Sequence, residues 1–285
     1  MSELHVGLYV LQIARLSSAG YPMGQLVTPD APVNGTVYSP YVVPAPIEYT
    51  PASSTEEEAH GKARGKIRGR MPLGVSDLGT GTLTLSEFDD TFDPLVMGTT
   101  RDTTTATAGV AVTSNRGRNT PRKFLVGFTP AALAVDSTIK YATIWKWGYF
   151  TRSELGANSG TGENPNNLSY TFYPTLSLRT PFGQLFSAAA VAPDNGSDAE
   201  YIQKDTYPMA LTTYVDDGSG TSILQAYTPY YSEHAGAHNL FYKNGVENKA
   251  NVSSLSSKTW TVTAGTAADV WCIMTPSAEI LSIAG

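Results

Sequence analysis

The sequence predicts a mainly β protein, and three observations lead to that fold class. Only 15% of the 285 residues are charged, against about 25% in an average soluble domain. Threonine, serine, glycine, proline and tyrosine take their place, as is typical of β proteins with many loops. Segments that alternate apolar with small or polar residues recur along the chain, bounded by glycine, proline and asparagine. Hydrophobic residues make up 41% of the chain, which is enough for a sizeable core.

Residues 1–35 predict a strand followed by an extended arm. Val6, Leu8 and Val10 alternate within residues 4–16, which favours a strand over an edge helix. Residues 17–35 are rich in proline, glycine and serine. We expect this arm either to become ordered by lying on a neighbouring subunit or to stay mobile.

Residues 36–180 predict the main β domain, which begins with a hairpin over about residues 37–73. Prolines interrupt its first strand, Val37 to Tyr49, as they do in edge or bulged strands. Cations then occupy alternate positions, so a single strand would direct all five to one face: Lys62, Arg64, Lys66, Arg68 and Arg70. This face could bind a polyanion. The preceding Glu56, Glu57 and Glu58, close enough to pair across a hairpin, favour an ion-pair network within or between subunits.

A second strand and a short helix follow the hairpin. Thr80 to Leu85 alternates threonine with glycine or leucine, which predicts a half-buried strand. A helix is expected over about residues 86–97, because Ser86 can cap its start and Gly98 its end. Its packing face would hold three residues at helical spacing, Phe88, Phe92 and Leu95. Pro94 would shorten or kink the helix.

The later strands are predicted by runs of aromatic and β-branched residues. Arg122–Thr129 and Thr138–Thr151 should pair as a hairpin, and Leu168–Leu178 should add a further strand. The composition changes near Thr180, where we place a boundary. Residues 181–285 are expected to form a C-terminal extension built as a small β-sandwich, since short strands alternate there with turns such as Asn244-Gly245.

No residue constellation predicts an enzyme or a cofactor. Walker, dinucleotide-binding and zinc-protease motifs are absent from the sequence. His234 and His238 follow Glu233 at a spacing that could place two imidazoles on a metal if they lay on a helix. Gly236 between them favours a solvated or partner-facing loop instead. The single cysteine, Cys272, lies in an apolar run and is expected to be buried.

The charge balance limits the partners that can be expected. A net charge of −6 argues against a protein that holds nucleic acid through phosphate contacts, and against anionic membrane surfaces. No apolar run approaches the roughly 18 residues of a membrane-spanning helix. The N-terminal segment also lacks the basic start of a secretion signal.

The order of segments resembles the major tail protein, or tail tube protein, of long-tailed bacteriophages. The resemblance covers about residues 36–180 and rests on the pattern of segments: Val37 to Tyr49, Ala63 to Met71, Thr80 to Leu85, the run SEFDDTFDPLVMG, and the later strands RKFLVGFT, YATIWKWGYFT and NLSYTFYPTL. The resemblance implies a β-barrel or sandwich flanked by one helix. It implies a virion protein, made in the host bacterial cytoplasm, whose six subunits close into a ring.

Further expectations follow from that resemblance. The rings would stack into a tube through the long hairpin loop and the terminal arms, with the tape-measure protein and other tail proteins as partners. DNA would pass through the lumen during ejection without specific binding. The loop around residues 50–62 would contact the adjacent ring, the cations of residues 62–70 would pair with carboxylates, and the C-terminal extension would decorate the outer wall.

Two alternatives remain open. A carbohydrate-binding β-sandwich, or a glycosidase-like surface or virion protein, could line a sugar groove with some of the 16 tyrosines and 4 tryptophans. A capsid decoration protein or distal-tail protein would keep the virion location and change the role.

Overall fold

The computed structural model describes residues 4–18, 20–25, 33–43, 48–51, 58–63, 66–72, 79–85, 91–97, 100–102, 112–114, 122–133, 139–152, 168–174, 201–219, 223–233, 236–256, 258–263 and 265–283. These residues form a mainly β structure with a curled, half-barrel sheet and two short helices, which confirms the predicted fold class. Every strand pairing among them is antiparallel.

The elements are numbered in chain order. The first half contains β1 (Leu4–Arg15), β2 (Val37–Tyr38), β3 (Tyr41–Val43), β4 (Glu48–Pro51), β5 (Glu58–Ala63), β6 (Lys66–Pro72), β7 (Gly79–Leu85), α1 (Phe92–Met97), β8 (Thr100–Asp102), β9 (Val112–Ser114), β10 (Phe124–Leu133) and β11 (Ile139–Arg152). The second half contains β12 (Leu168–Pro174), β13 (Tyr201–Asp205), β14 (Met209–Val215), β15 (Ile223–Leu224), β16 (Leu240–Lys243), β17 (Val246–Glu247), β18 (Val252–Ser256), β19 (Thr259–Val262), β20 (Val270–Pro276) and α2 (Glu279–Ile283).

Sheet 1 has eight strands, and most of them come from the first 180 residues. Its order is β3-β1-β10-β11-β12-β7-β4, and β13 pairs with the first part of β11 while β12 pairs with the last part. Inside the curl, aromatic residues of β10, β11 and β12 pack around α1, whose Phe92 is fully buried. The strands at the two ends of this order are β3 and β4.

The opposite face of sheet 1 packs against sheet 2, whose order is β17-β16-β20-β14-β2. Side chains from both sheets share one buried cluster: Leu125, Trp145 and Trp147 from sheet 1 meet Leu211 and Met274 from sheet 2. Sheet 3, β15-β19-β18, covers the other face of sheet 2 through a cluster around Trp260 and Trp271. The two central strands of sheet 2 are therefore buried on both faces, which explains their near-continuous apolar sequences.

Sheets 2 and 3 face each other, and sheet 2 is also joined to the first half of the chain. Strand β2 pairs with β14, and β13 pairs with β11. The Gln12 side chain donates to the Met209 carbonyl oxygen and accepts from the Leu211 N–H. Residues from both sides of position 180 thus share one core, and the boundary expected there stays a prediction.

Two expectations about the N-terminal third are corrected. The single strand expected over Val37–Tyr49 is three short strands in two sheets, because prolines interrupt it and its pieces pair with β14, β1 and β7 in turn. The described part of the expected arm folds back on its own subunit: the Met23 N–H donates to the Arg15 carbonyl oxygen, and the Met23 side chain lies in the shared core.

Candidate functional site

The segment predicted to mediate assembly forms a two-stranded hairpin at one end of sheet 1. β4 pairs with β7 so that Pro51 and Gly79 lie opposite each other, and the 27 residues between them, 52–78, contain β5 and β6. β5 and β6 pair with each other from Glu58 opposite Pro72 to Ala63 opposite Lys66. Among the described strands, no third strand joins this ladder.

The hairpin divides the cations that were expected on one strand. Ala63 of one strand pairs with Lys66 of the other, so the hairpin consists of two separate strands, β5 and β6. Lys62 therefore lies on β5, whereas β6 carries the alternating set Lys66, Arg68 and Arg70. Glu58 begins β5; Glu56, Glu57 and Arg64 lie outside the described residues.

Helix α1 is shorter than the expected span of 86–97, and it begins at Phe92. Pro94 lies in the first turn of the helix, where backbone N–H groups have no acceptor within the helix. A proline therefore fits there without a kink. Phe92 and Leu95 are fully buried inside the curl of sheet 1, and Phe92 packs edge-to-face on Tyr170 with ring centroids 4.8 Å apart. Phe88 lies outside the described residues.

A buried polar network fixes α1 against sheet 1. The Asp93 carboxylate accepts a hydrogen bond from the Arg152 guanidinium at 2.5 Å and another from the Tyr170 hydroxyl at 3.0 Å. Burial and the neighbouring Asp93 charge raise the pKa of Tyr170, so its hydroxyl remains a donor. Arg122 donates to the carbonyl oxygens of Pro94 and Leu95, each at 3.3 Å. The network has the features of a structural anchor for the helix.

The tryptophans do not form a ligand groove. All four of them, Trp145, Trp147, Trp260 and Trp271, are buried in the two hydrophobic clusters on either side of sheet 2. The part of the carbohydrate-binding alternative that relied on exposed tryptophans is therefore wrong. Aromatic and β-branched residues predicted the strand β11 without revealing that both of its faces are covered.

His238 lies in a turn, and its Nδ1 is 2.5 Å from an Asp205 carboxylate oxygen. His234, the other proposed metal ligand, lies outside the described residues. In the part of the chain that the structure describes, no group of three or more metal-ligating side chains comes together. The sequence did not predict the Asp205–His238 contact, because 33 residues separate the two partners. The tyrosines at 207, 230 and 231, close to one or the other partner in sequence, were the feature that could have indicated a site there.

Cys272 is buried in the shared core, as expected, and it is a free thiol. Burial raises its pKa to about 12, an effect that the contact with the Thr213 hydroxyl only partly opposes. The thiol therefore stays protonated at neutral pH and lacks the thiolate character of a nucleophilic cysteine.

Neither described helix is long and apolar enough to cross a lipid bilayer. Comparison of the chain with protein-family models, with curated proteins and with solved structures finds no match in any of the three.

Proposed function

We propose that this chain is a structural virion subunit that assembles with copies of itself into stacked hexameric rings, forming the tail tube of a long-tailed bacteriophage. The observation that carries the proposal is the β5–β6 hairpin. It is inserted between β4 and β7, the last two strands at one end of the curled sheet, and it forms a separate two-stranded ladder. The sequence resemblance to tail tube proteins supplies the identity of the assembly.

A two-stranded ladder is at best marginally stable in water unless a third strand or another surface packs on it. β6 has seven residues, so the hairpin extends for about 20 Å at roughly 3.3 Å per residue. A neighbouring ring would supply such a surface, and its carboxylates would pair with Lys66, Arg68 and Arg70.

The ends of sheet 1 support the same proposal. Among the described strands, β3 and β4 end the strand order, and a strand edge without a partner offers N–H and C=O groups to another chain. Closing several curled sheets into one ring removes such edges. The net charge of −6 is compatible with a lumen that repels DNA phosphates and allows DNA to slide.

Electron microscopy of the purified protein, alone and with its tape-measure partner, tests the proposal. Six-fold rings that stack into tubes are the expected result. Sedimentation showing only monomers at every concentration and salt condition would refute it. Rings that never stack, or particles in which the protein lies on the capsid or at the tail tip, would favour the decoration or distal-tail alternative.

A charge reversal tests the role of the hairpin. We expect Lys66→Glu/Arg68→Glu to leave a folded subunit that no longer forms tubes, because like charges would face the carboxylates of the adjacent ring. The matched control is Lys123→Glu/Lys140→Glu, which makes the same change of charge outside the hairpin and should assemble normally. Normal tubes from the hairpin variant would show that these two cations have no role in stacking.

A further inference from the structure

An exposed aromatic patch lies close to Asp205, the last residue of β13. It consists of Tyr207, Tyr230, Tyr231 and His238, whose rings form a continuous series of contacts. Ring centroids are 4.3 Å apart for Tyr207 and Tyr230, 4.8 Å for Tyr230 and Tyr231, and 4.0 Å for Tyr231 and His238. Tyr230 is 55% exposed and the His238 side chain 47% exposed, so the patch presents ring surface to solvent.

A buried carboxylate holds this patch in place. The Asp205 side chain is only 1% exposed, and one of its oxygens contacts His238 Nδ1 at 2.5 Å. The other oxygen accepts from the Thr206 N–H at 2.6 Å, from the Thr206 hydroxyl at 3.0 Å and from the Tyr231 hydroxyl at 3.4 Å. β13 fixes Asp205 to sheet 1 by pairing it with Tyr141 of β11.

This arrangement is that of a prepared binding surface. Burying a carboxylate is unfavourable unless hydrogen bonds compensate it, and here those hydrogen bonds orient two rings at the surface. Since the carboxylate accepts, His238 Nδ1 carries the proton of this contact, which leaves Nε2 outside the contact. Rings that are already fixed lose little conformational entropy when a ligand stacks on them.

The chemistry of the patch selects among ligand classes. Phosphate-bearing ligands need cations, whereas the charged group at the centre of this patch is a carboxylate in a chain of net charge −6. A cationic ligand would need an accessible counter-charge, and Asp205 is buried and already engaged. A neutral sugar ring needs neither: its C–H face stacks on tyrosine, and its hydroxyls exchange hydrogen bonds with phenol and imidazole groups.

We propose that Tyr207, Tyr230, Tyr231 and His238 form a binding site for neutral saccharides. The site is independent of the ring assembly described above and does not involve the tryptophans. Tyr230 supplies the most exposed ring, and Asp205 acts as a positioning residue that holds Tyr231 and His238 without touching the sugar.

NMR titration of the full chain with maltohexaose, cellohexaose, chitohexaose and xylohexaose tests the site. We expect at least one of these oligosaccharides to bind, and Tyr230→Ala to weaken its affinity at least tenfold, the order that one stacking contact provides. The matched control is Tyr173→Ala. Tyr173 is also a partly exposed tyrosine, stacked on Tyr149 with centroids 5.3 Å apart, but it lies on β12. This control should bind like the wild type.

Three results would overturn the proposal. None of the four oligosaccharides binds the wild-type chain, or Tyr230→Ala binds as well as the wild type, or both tyrosine variants lose binding equally. Tetramethylammonium and a thymidine oligonucleotide serve as competing probes. Binding of either one at the patch, in place of the sugars, would assign the site to cations or to nucleic acid.

Asp205→Asn separates positioning from contact: it should weaken sugar binding while the fold, monitored by circular dichroism, is retained.

Discussion

The β10–β11 hairpin and the β5–β6 hairpin are built from the same kind of antiparallel pairing, but their surroundings differ. Successive residues of β10 enter different hydrophobic clusters: Phe124 and Val126 lie inside the curl of sheet 1, and Leu125 between them lies in the core shared with sheet 2. β1 and β12 extend this hairpin on its two sides. The β5–β6 ladder has no third strand among those described.

Under the proposed assembly, this difference separates the part of the chain that sets stability from the part that associates. A slip of β10 by one residue would exchange the side chains of two cores, so its register is strongly fixed. The β5–β6 pairing has no neighbouring strand in the described structure to impose such a constraint, and we assign it to contact with another subunit. Changes in the first hairpin should therefore affect unfolding, and changes in the second should affect association.

The largest expected effect comes from the shared core. Trp145 is fully buried, and its ring lies over Gly127 on the paired strand, where an added Cβ would approach the ring within 2.6 Å. We expect Trp145→Ala to lower the free energy of unfolding by about 3–5 kcal/mol, because the cavity removes packing from both sheets. Urea denaturation measures this value. The exposed-ring control Tyr173→Ala should change it by less than about 1 kcal/mol, and equal losses would contradict the assignment.

The second effect tests the connection between sheets 1 and 2. Gln12 is fully buried, and its side-chain amide hydrogen-bonds the backbone of Met209 and Leu211 on β14. Strand β2 pairs only with Thr213 and Tyr214, further along β14. Gln12→Ala should lower the free energy of unfolding by about 2–4 kcal/mol, since each buried backbone group left without a partner costs roughly 1–3 kcal/mol.

The control for this variant is Gln25→Ala. Gln25 is exposed, and its amide donates to the Pro40 carbonyl oxygen at 3.2 Å. Its loss should change the free energy of unfolding by no more than about 0.5 kcal/mol. If urea denaturation gave the same value for both variants, the Gln12 amide would not be a specific link between the sheets.

Much of the β10–β11 hairpin was predictable, whereas the partners of the shorter strands were not. Aromatic and β-branched residues predicted both long strands, and Asn244-Gly245 predicted a turn in which both residues do have positive φ. The division of Val37–Tyr49 between two sheets depends on β14, β1 and β7, which lie far away in sequence. Local patterns contain no information on such partners.

The candidate sites show the same limit. The alternation of cations indicated one strand, whereas the structure places them on the two paired strands β5 and β6. The aromatic content suggested a sugar site, but sequence composition could not separate the tryptophans of the core from the tyrosines of the surface. Helix α2 was missed because five residues are too short for a periodic signal.

A smaller effect is expected at the surface between α2 and sheet 3. Lys258 Nζ lies 3.0 Å from a Glu279 carboxylate oxygen, and both side chains are about two-fifths exposed. Partial burial alone would raise the pKa of Glu279, but hydrogen bonds from Thr228 and Lys258 outweigh it and lower the pKa. Because solvent screens this pair, Lys258→Ala should lower the free energy of unfolding at pH 7 by only about 0.5 kcal/mol.

The pH dependence of this variant follows from the direction of the shift. A carboxylate whose pKa is lowered by folding stabilises the protein above its ordinary pKa, near 4.3 for glutamate. That contribution is lost as the pH falls through the lowered value. Urea denaturation at pH 7 and pH 3 should therefore show a smaller difference between wild type and variant at pH 3. Lys123→Ala, at another exposed lysine, should show no such change.

The smallest effect on stability is expected for a cysteine substitution on β5. Labelling of its thiol is the sharpest test of the comparison between the two hairpins. Cys272 is buried with a raised pKa, so the native wild-type subunit should react with a maleimide only as fast as it unfolds. Ala59→Cys places a thiol on β5 and should change the free energy of unfolding by no more than about 0.5 kcal/mol. We expect this thiol to react rapidly in isolated subunits and to become protected in assembled tubes, because the proposed assembly places the hairpin against the adjacent ring. Equal labelling rates before and after assembly would remove the hairpin from the interface, and the assembly would then have to rest on the edges of sheet 1.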